Sequence, residues 1–408
     1  MFEDQFAKGR PVGTGISLLA GDVSLPAAVL IEPRIAHNLR WMQSFVDAYG
    51  LNLAPHGKTT MAPALFRRQL DAGAWGITVA TAQQAHVAAV HGVTRILIAN
   101  QLVGRANLTT VADLIADPAV TIIGIVDSAD GVAQLGAAMM AHGRAIEVLL
   151  ELAPTRDQGG YRTGVRDAAQ QAETLAAIVA WRGHVRLAGI ELYEGVLSDE
   201  QEIRTYLRRG VAALADIAAA GGFDRARPIL SGGGSAWYDV VAEEFARADP
   251  ALHVEVVLRP GCYLSHDGGL YREAQRDILA RNPIAAKMRG GLLAALQIWA
   301  CVQSRPEPGR AVMTMGKRDV AFDAGLPMPI LHHRPGRDTP PQTVPGGWAI
   351  SGMMDQHAYL TVPDDADLLV GDMIGFDISH PCLTFDKWRQ LLVMDDDYRC
   401  LDVIDTFF

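Results

Sequence analysis

Short apolar runs rich in β-branched residues alternate with longer alanine-rich stretches of helical spacing between about Ala27 and Tyr271. Such runs are typical of buried strands, and their regular alternation with helices is typical of a parallel sheet. After an opening strand over residues 28–32, the pattern predicts eight strands, over residues 51–54, 76–80, 95–99, 121–126, 147–152, 187–192, 228–230 and 254–258. Each of the first seven is followed by a predicted helix. Eight strand–helix repeats within about 245 residues predict an α/β fold, a (β/α)8 barrel.

The pattern changes after Tyr271, where glycine and proline interrupt short apolar segments over residues 293–302, 311–315 and 349–353. Short strands separated by turn residues are typical of a β-rich domain. We therefore expect three parts. These are an N-terminal segment over residues 1–26 that pairs with the β domain, the barrel over 27–272 and the β-rich C-terminal domain over 273–408.

Composition narrows the range of functions. The 408 residues are 49% apolar and 20% charged, which suits a folded chain with a sizeable core. The formal net charge of −10 argues against nucleic acid or an anionic membrane as a partner, so we expect a small-molecule ligand. The first ten residues carry charges where a secretion signal has an apolar core, and we expect a soluble, cytoplasmic protein. The four scattered cysteines do not suggest a disulfide framework.

Candidate chemistry lies where the predicted strands end, because active sites of such barrels form at the carboxyl ends of the strands. Lys58 follows the first barrel strand in Pro-His-Gly-Lys-Thr, where it could form a Schiff base, although a solvated loop lysine is the commoner case. Arg162 lies between glycines after the fifth strand and could bind an anionic oxygen. Surface arginines in loops are also common.

The seventh strand runs into Ser-Gly-Gly-Gly-Ser at residues 231–235, before a predicted helix. Exposed backbone N–H groups and a helix dipole favour an anion there, and phosphate is the natural ligand. The eighth strand ends in Arg-Pro-Gly-Cys-Tyr at 259–263, a second tight turn that could offer N–H groups. A flexible turn is the alternative interpretation of the glycines. A lysine, a phosphate site and an arginine on one barrel rim together suggest pyridoxal 5'-phosphate (PLP).

The C-terminal domain carries His380 and Cys382, two residues apart. An imidazole and a thiolate at this spacing can bind one ion and favour zinc over magnesium or manganese. Water or substrate would fill the remaining positions, as a catalytic metal requires. A lone pair of this kind more often serves packing, so the prediction depends on the pair reaching the barrel rim.

These motifs resemble the family of D-serine dehydratase and D-threonine aldolase, fold-type III PLP enzymes whose barrel is related to alanine racemase. The resemblance rests on Pro-His-x-Lys-Thr at 55–59, Tyr-Arg-Thr-Gly at 161–164, Ser-Gly-Gly-Gly-Ser at 231–235, Arg-Pro-Gly-x-Tyr at 259–263 and His-Pro-Cys at 380–382. It implies that Lys58 is the catalytic lysine that holds PLP, that Arg162 contacts the PLP ring oxygen and that the glycine turn binds phosphate. The family's metal pair corresponds to His380 and Cys382.

The expected cofactor site comprises His56, Lys58, Arg162, Tyr193, Ser231, Gly232, Gly233, Gly234, Ser235, Gly261, Cys262 and Tyr263. For Tyr193, core packing is an equally good interpretation. The family often has an acidic–histidine pair near the metal motif, and the segment 355–357 (Asp-Gln-His) could replace it with one residue inserted.

Cysteine at position 382 resembles the dehydratase-like branch, whereas aldolase members tend to carry aspartate there. The resemblance therefore implies a zinc- and PLP-dependent dehydratase (deaminase) acting on a D-β-hydroxy amino acid such as D-serine, and a homodimer. A metal-dependent D-threonine-type aldolase is the nearest alternative, and a non-catalytic PLP-binding protein is a further one. Racemisation is disfavoured because no tyrosine of the second domain is identified as a second base opposite Lys58.

Overall fold

A computed structural model of the protein describes residues 8, 13–158, 162–337 and 339–408. Tyr161 of the motif at 161–164 and most of residues 1–12 in the expected N-terminal segment lie outside the described residues. Two sheets organise the described chain, one of eight parallel strands and one of ten strands of mixed direction. The α/β architecture predicted from the sequence, a barrel followed by a β-rich domain, is confirmed.

The eight-stranded sheet is a barrel. Its strands are β2 (Asn52–Leu53), β3 (Ile77–Val79), β4 (Arg95–Gln101), β5 (Thr121–Val126), β6 (Ile146–Leu152), β7 (Val185–Leu192), β8 (Ile229–Gly232) and β9 (Glu255–Leu258). They pair in chain order from β3 to β9, and β9 returns to β2 through Leu258 and Leu53. A parallel bridge between His56 and Thr78 joins β2 to β3, so the sheet closes.

The helices of the barrel region follow the strands and pack against their outer side. They are α1 (Glu32–Ala48), α2 (Pro63–Asp71), α3 (Ala82–Val90), α4 (Arg105–Ile115), α5 (Ala129–Ala141), α6 (Ala168–Ala180), α7 (Glu200–Ala219), α8 (Tyr238–Phe245), α9 (Leu270–Arg281) and α10 (Pro283–Lys287). Several begin at a residue whose side-chain oxygen accepts a bond from a free N–H of the first turn. Thr81, Ser128, Asp167 and Asp199 do this for α3, α5, α6 and α7.

The interior of the barrel changes character along its axis. A small apolar cluster that includes Leu97, Ile123 and Leu149 fills its centre. Towards the carboxyl ends of the strands the buried side chains become polar, with Glu151 and Glu191 among them. The apolar centre supports the barrel, and the polar end is where chemistry can take place.

The second sheet contains β1 (Ala27–Ile31), β10 (Leu296–Glu307), β11 (Arg310–Met313), β12 (Met328–His333), β13 (Gln342–Thr343), β14 (Ala349–Met353), β15 (Ala358–Thr361), β16 (Met373–Asp377), β17 (Gln390–Met394) and β18 (Cys400–Asp405). A short helix, α11 (Cys382–Phe385), follows β16. The opening strand β1 lies within the range 27–272 expected for the barrel, yet it pairs with β10 and β17. A strand that is buried on both faces has the same continuous apolar sequence in either sheet, so the sequence pattern alone could not assign β1 to one of them.

The two sheets meet at the carboxyl end of the barrel. The Ala295 N–H donates to the Ser265 carbonyl over 2.7 Å, and the Gly268 N–H donates to the Ile378 carbonyl over 3.1 Å. Residue 272, the expected boundary, falls inside α9, and the chain enters the second sheet at β10. Near the N-terminus, Ser17 bridges to Arg399 of the second domain. Among the described residues, none of the helices combines the length and the apolar character that a membrane crossing requires.

Candidate active site at the barrel mouth

A cavity of about 270 Å³ lies between the carboxyl ends of the barrel strands and the second domain. Its size is close to the lower end of the range for ligand pockets, roughly 300–1,000 Å³. It is lined by His56, Lys58, Thr59, Tyr193, Gly233, Gly234, Ser235, Arg259, Gly261, Cys262, Tyr271, His380 and Cys382. The lysine, both phosphate turns and the His-x-Cys pair predicted from the sequence therefore border one space.

Lys58 lies in a 3-10 turn, Gly57–Thr59, which begins four residues after β2 ends. The preceding His56 is held by its bridge to Thr78 of the next strand, and its Nδ1 is buried with no partner. Burial, followed by the positive charge of Lys58, lowers the pKa of His56 well below its usual value, so the imidazole is neutral. The turn thus places the Lys58 amine and an unsatisfied ring nitrogen on the same side of the cavity.

Two N–H groups of the glycine turn after β8 are bonded to a carboxylate. The Gly233 and Gly234 N–H groups donate to the Glu194 carboxylate over 3.1 and 2.6 Å. Glu194 is fully buried and does not line the cavity, whereas both glycines do, and its carboxylate occupies their N–H groups in this structure. Burial raises the pKa of Glu194. Glu194 was missed because one carboxylate after β7 carries no motif of its own.

Among the turn residues that line the cavity, Ser235 and Gly261 are the two whose N–H groups have no acceptor in the described part of the chain. A Cβ on Gly261 would lie 2.6 Å from Thr59 Oγ1 and 2.7 Å from the His56 carbonyl oxygen, so glycine is required there. Ser235 and Gly261 therefore form the part of the predicted phosphate site that remains available.

The other expected cofactor residues lie in different places, some at the cavity and some in the protein interior. Tyr193 lines the cavity, and the Arg162 guanidinium stacks 4.5 Å from its ring centre without lining the cavity itself. Ser231 is buried, and its hydroxyl donates to the Val257 carbonyl over 3.1 Å. Gly232 is buried in β8, and Tyr263 points into the core, where its hydroxyl accepts a bond from Gln69 over 3.1 Å. Ser231, Gly232 and Tyr263 therefore support the site without lining it.

Three cavity residues, Thr59, Arg259 and Tyr271, were not among the predicted site residues. Thr59 directly follows Lys58 in the Pro-His-x-Lys-Thr motif. Arg259 is buried, pairs with the Glu191 carboxylate and leaves its Nε without a partner. The position of Arg259 in the Arg-Pro-Gly turn after β9 is the sequence signal that could have identified it as a site residue. Tyr271 lies in α9, away from any strand end, and no sequence signal identifies it.

The metal candidates lie on the second domain's side of the cavity. Cys382 Sγ is 3.7 Å from Cys262 Sγ and 3.4 Å from Thr59 Oγ1. His380 Nδ1 is 2.7 Å from Asp323 Oδ2. Asp355, in the predicted acidic–histidine segment, instead lies 3.8 Å from the Arg318 guanidinium. Asp323 was missed because it is 57 residues from His380 in sequence.

The charges and hydrogen bonds around Cys382 favour the thiolate form of its side chain. Hydrogen bonds from Cys262 first, and from His380 and Thr59, lower the pKa of Cys382 to about 4 although burial opposes this. The thiolate, through its hydrogen bond, raises the pKa of His380 to about 9. Cys262 shares the hydrogen bond and its pKa is raised, so Cys382 carries the charge of the pair.

The residues present fit PLP and a soft metal ion. Unpartnered Arg259 Nε and His56 Nδ1, with the free N–H groups of Ser235 and Gly261, suit a polar anionic ligand beside Lys58. A thiolate and an imidazole whose other nitrogen is held by Asp323 suit zinc. As placed, no group of three or more His, Cys, Asp or Glu side chains among the described residues could hold a metal ion.

Two protein-family models match the chain, one over the barrel region and one over the second domain. Residues 32–264 match the family model described as the N-terminal domain of alanine racemase. Residues 295–394 match the model described as a putative serine dehydratase domain. The first match spans more than half of the chain.

Individual relatives extend over nearly the whole length. The chain is 29% identical to D-threonine aldolase of Arthrobacter sp. over 387 residues, which are 92% of this chain and 90% of the relative. The crystal structure of D-threonine aldolase from Filomicrobium marinum has a TM-score of 0.77 at 26% identity, covering 97% of this chain and 98% of that one. D-threo-3-hydroxyaspartate dehydratase of Delftia sp. HT23 is 33% identical over 172 residues, 42% of this chain and 43% of that one. Its structure has a TM-score of 0.74 at 23% identity, covering 96% and 99% of the two chains.

Proposed function

The chain belongs to the alanine racemase-like family of fold-type III PLP enzymes, and its second domain matches a serine dehydratase domain. We therefore propose that it is a zinc-dependent dehydratase of small D-β-hydroxy amino acids such as D-serine. Its relatives are PLP-dependent lyases, and it is a lyase of the same kind. The reaction removes the β-hydroxyl and the amino group and gives a 2-oxo acid and ammonia.

The observation that carries the proposal is the Cys382 sulfur beside His380 on the cavity that Lys58 also lines. A thiolate with an imidazole selects a soft ion such as zinc, and two protein ligands leave positions open for substrate oxygen. The Asp323 carboxylate at His380 Nδ1 orients the ring towards such a ligand.

The cofactor would be held mainly by the barrel. Lys58 Nζ would carry its aldehyde carbon, and the N–H groups of Ser235 and Gly261 would bind its phosphate. When bound, PLP withdraws electron density from the substrate Cα and so makes the Cα proton acidic. The Lys58 amine lines the same cavity and would be the base that takes this proton.

Hydroxide is a poor leaving group, and the second domain addresses that obstacle. His380 and Cys382 would hold zinc on the second domain's side of the cavity. A Lewis acid at that point stabilises the charge on the departing oxygen. The positive Arg259 and the neutral His56 line the same cavity and complete its polar surface.

A D-threonine-type aldolase is the second candidate, and the similarity to D-threonine aldolase over nearly the whole chain favours it. In that reaction a base removes the proton of the β-hydroxyl, the Cα–Cβ bond breaks, and the products are glycine and an aldehyde. The same lysine and metal pair could serve both reactions. Cysteine rather than aspartate at position 382 is the reason for placing dehydration first.

Product analysis with D-threonine, PLP and zinc tests the proposal. Dehydration gives 2-oxobutanoate and ammonia, whereas aldol cleavage gives glycine and acetaldehyde. Glycine and acetaldehyde as the only products would overturn the dehydratase assignment. A purified protein that binds PLP but converts neither D-serine nor D-threonine nor D-3-hydroxyaspartate would support the non-catalytic alternative.

We also propose that the protein is a cytoplasmic homodimer, a proposal supported by its resemblance to the family. Light scattering of the purified protein measures the mass directly. A mass close to the 43.9 kDa of one chain would contradict the dimer.

A further inference from the structure

We propose that Cys262 of the barrel is a third protein ligand of the metal, so that His380, Cys382 and Cys262 together form a zinc site shared by the two domains. The inference rests on the proposed function, since it concerns the same metal. It also changes that site, because three protein ligands leave one open position on a tetrahedral ion instead of two.

The distance between the two sulfur atoms supports this. Cys262 Sγ and Cys382 Sγ lie 3.7 Å apart, too far for a disulfide bond. Two thiolates on one tetrahedral zinc ion, each about 2.3 Å from the metal, are separated by about 3.8 Å. The sulfur atoms therefore already have the separation that a shared zinc ion imposes.

The position of Cys262 is fixed from the barrel side. It is 4% exposed, and its N–H donates to Ser235 Oγ over 3.1 Å. Its carbonyl accepts the His266 N–H over 2.7 Å, which closes the turn after β9. The thiol thus projects from a turn whose backbone is held at two points, and it lines the cavity.

The third donor comes from the second domain. His380 is hydrogen-bonded to Cys382, and its Nδ1 is held by Asp323. As placed, the three groups do not enclose a common point, so binding of one ion by all three would require their side chains to rotate. Two sulfurs and one nitrogen make a softer donor set than the His-x-Cys pair alone, and such a set disfavours magnesium and manganese.

X-ray absorption at the zinc edge of the PLP-loaded protein counts the sulfur ligands without relying on activity. Two sulfur neighbours near 2.3 Å are expected in the wild type, and one in Cys262→Ser. Cys301→Ser is the matched control, because Cys301 is a half-buried thiol in β10 that does not line the cavity. It should retain two sulfur neighbours.

Competition with a chromophoric chelator gives the zinc affinity of the same three proteins. Loss of a residue that hydrogen-bonds a metal ligand lowers metal affinity by about 10- to 100-fold. Loss of a direct ligand should therefore lower the zinc affinity by at least about 100-fold. Cys262→Ala provides a second variant if Cys262→Ser does not fold, and the wild-type sulfur count needs no variant.

The outcomes separate this inference from the proposed function. One sulfur neighbour in the wild type, with 2-oxo acid still produced, would overturn the role of Cys262 and leave the dehydratase intact. A wild-type protein that binds no zinc would overturn both.

Discussion

The two sides of the cavity are built by different means. On the barrel side, tight turns at the ends of parallel strands present backbone N–H groups, as at Ser235 and Gly261, and Lys58 lies in the turn that follows β2. On the other side, the second domain contributes side chains, His380 and Cys382, around a four-residue helix. A phosphate site made of backbone depends on local turns, whereas a metal site made of side chains depends on how the domains meet. The cofactor and the metal should therefore be separable by mutation.

Lys58→Ala should have the largest effect. It removes the attachment point of PLP and the base for the Cα proton, so we expect turnover to fall by more than about 10⁴-fold. The visible absorbance of lysine-bound PLP should disappear, while zinc binding persists. Lys287→Ala, an exposed change in α10, is the control and should behave as the wild type. Substantial turnover by Lys58→Ala would show that another residue is the base.

Cys382→Ala should affect the other side of the cavity. Lewis-acid assistance is worth several kcal/mol, so activity should fall by about 10²- to 10⁴-fold as zinc is lost. Metal analysis and absorbance spectra of one sample report both sites, and the PLP spectrum should be unchanged. An active, metal-free Cys382→Ala protein would disprove the role of zinc, and simultaneous loss of PLP would show that the two sites are not separable.

Gly261→Ala tests the backbone of the barrel side. The new Cβ would approach the His56 carbonyl oxygen to 2.7 Å, so the turn beside Lys58 must shift. A displacement of about 1 Å can cost up to about 100-fold in rate, and PLP affinity should fall with it. Gly183→Ala is the control because a Cβ there meets nothing within 4 Å. Equal PLP affinity in both variants, measured by fluorescence titration, would contradict a tight turn at Gly261.

Glu151→Gln should have the smallest effect on activity, since Glu151 does not line the cavity, but a measurable one on stability. Burial and the nearby Glu191 carboxylate raise the pKa of Glu151 to about 8. Between its unfolded value of about 4.3 and pH 8, the folded protein holds a proton that the unfolded chain has lost, so stability decreases as the pH rises.

Glutamine does not ionise, and its amide can accept the hydrogen bond from Gln101 with its oxygen and donate one to the Thr163 hydroxyl with its nitrogen. We expect a gain of roughly 2–4 kcal/mol in the free energy of unfolding at pH 9 and little at pH 5. Thermal melting at the two pH values measures this, with Glu173→Gln on the exposed side of α6 as the control. An equal gain at both pH values would rule out ionisation as the cause.

The general outline of the fold could be predicted from short windows of sequence. The period of apolar residues located the barrel strands and their helices, because side-chain spacing within one element follows the geometry of that element. The residue types in the turns at 55–59, 231–235 and 259–263 indicated a site at the rim, since the order of strands in a barrel brings their ends together.

Other features required the tertiary structure. The sequence could not place β1 in the second sheet, and it could not show that Glu194 occupies the Gly233 and Gly234 amides. It assigned Cys262 to the cofactor, but 120 residues separate this thiol from Cys382, and only the contact between the domains brings the sulfur atoms within 3.7 Å. The sequence by itself determined the elements, the catalytic lysine candidate and the donor types. Docking of the second domain on the barrel decided which donors meet, because long-range contacts depend on packing that no local pattern encodes.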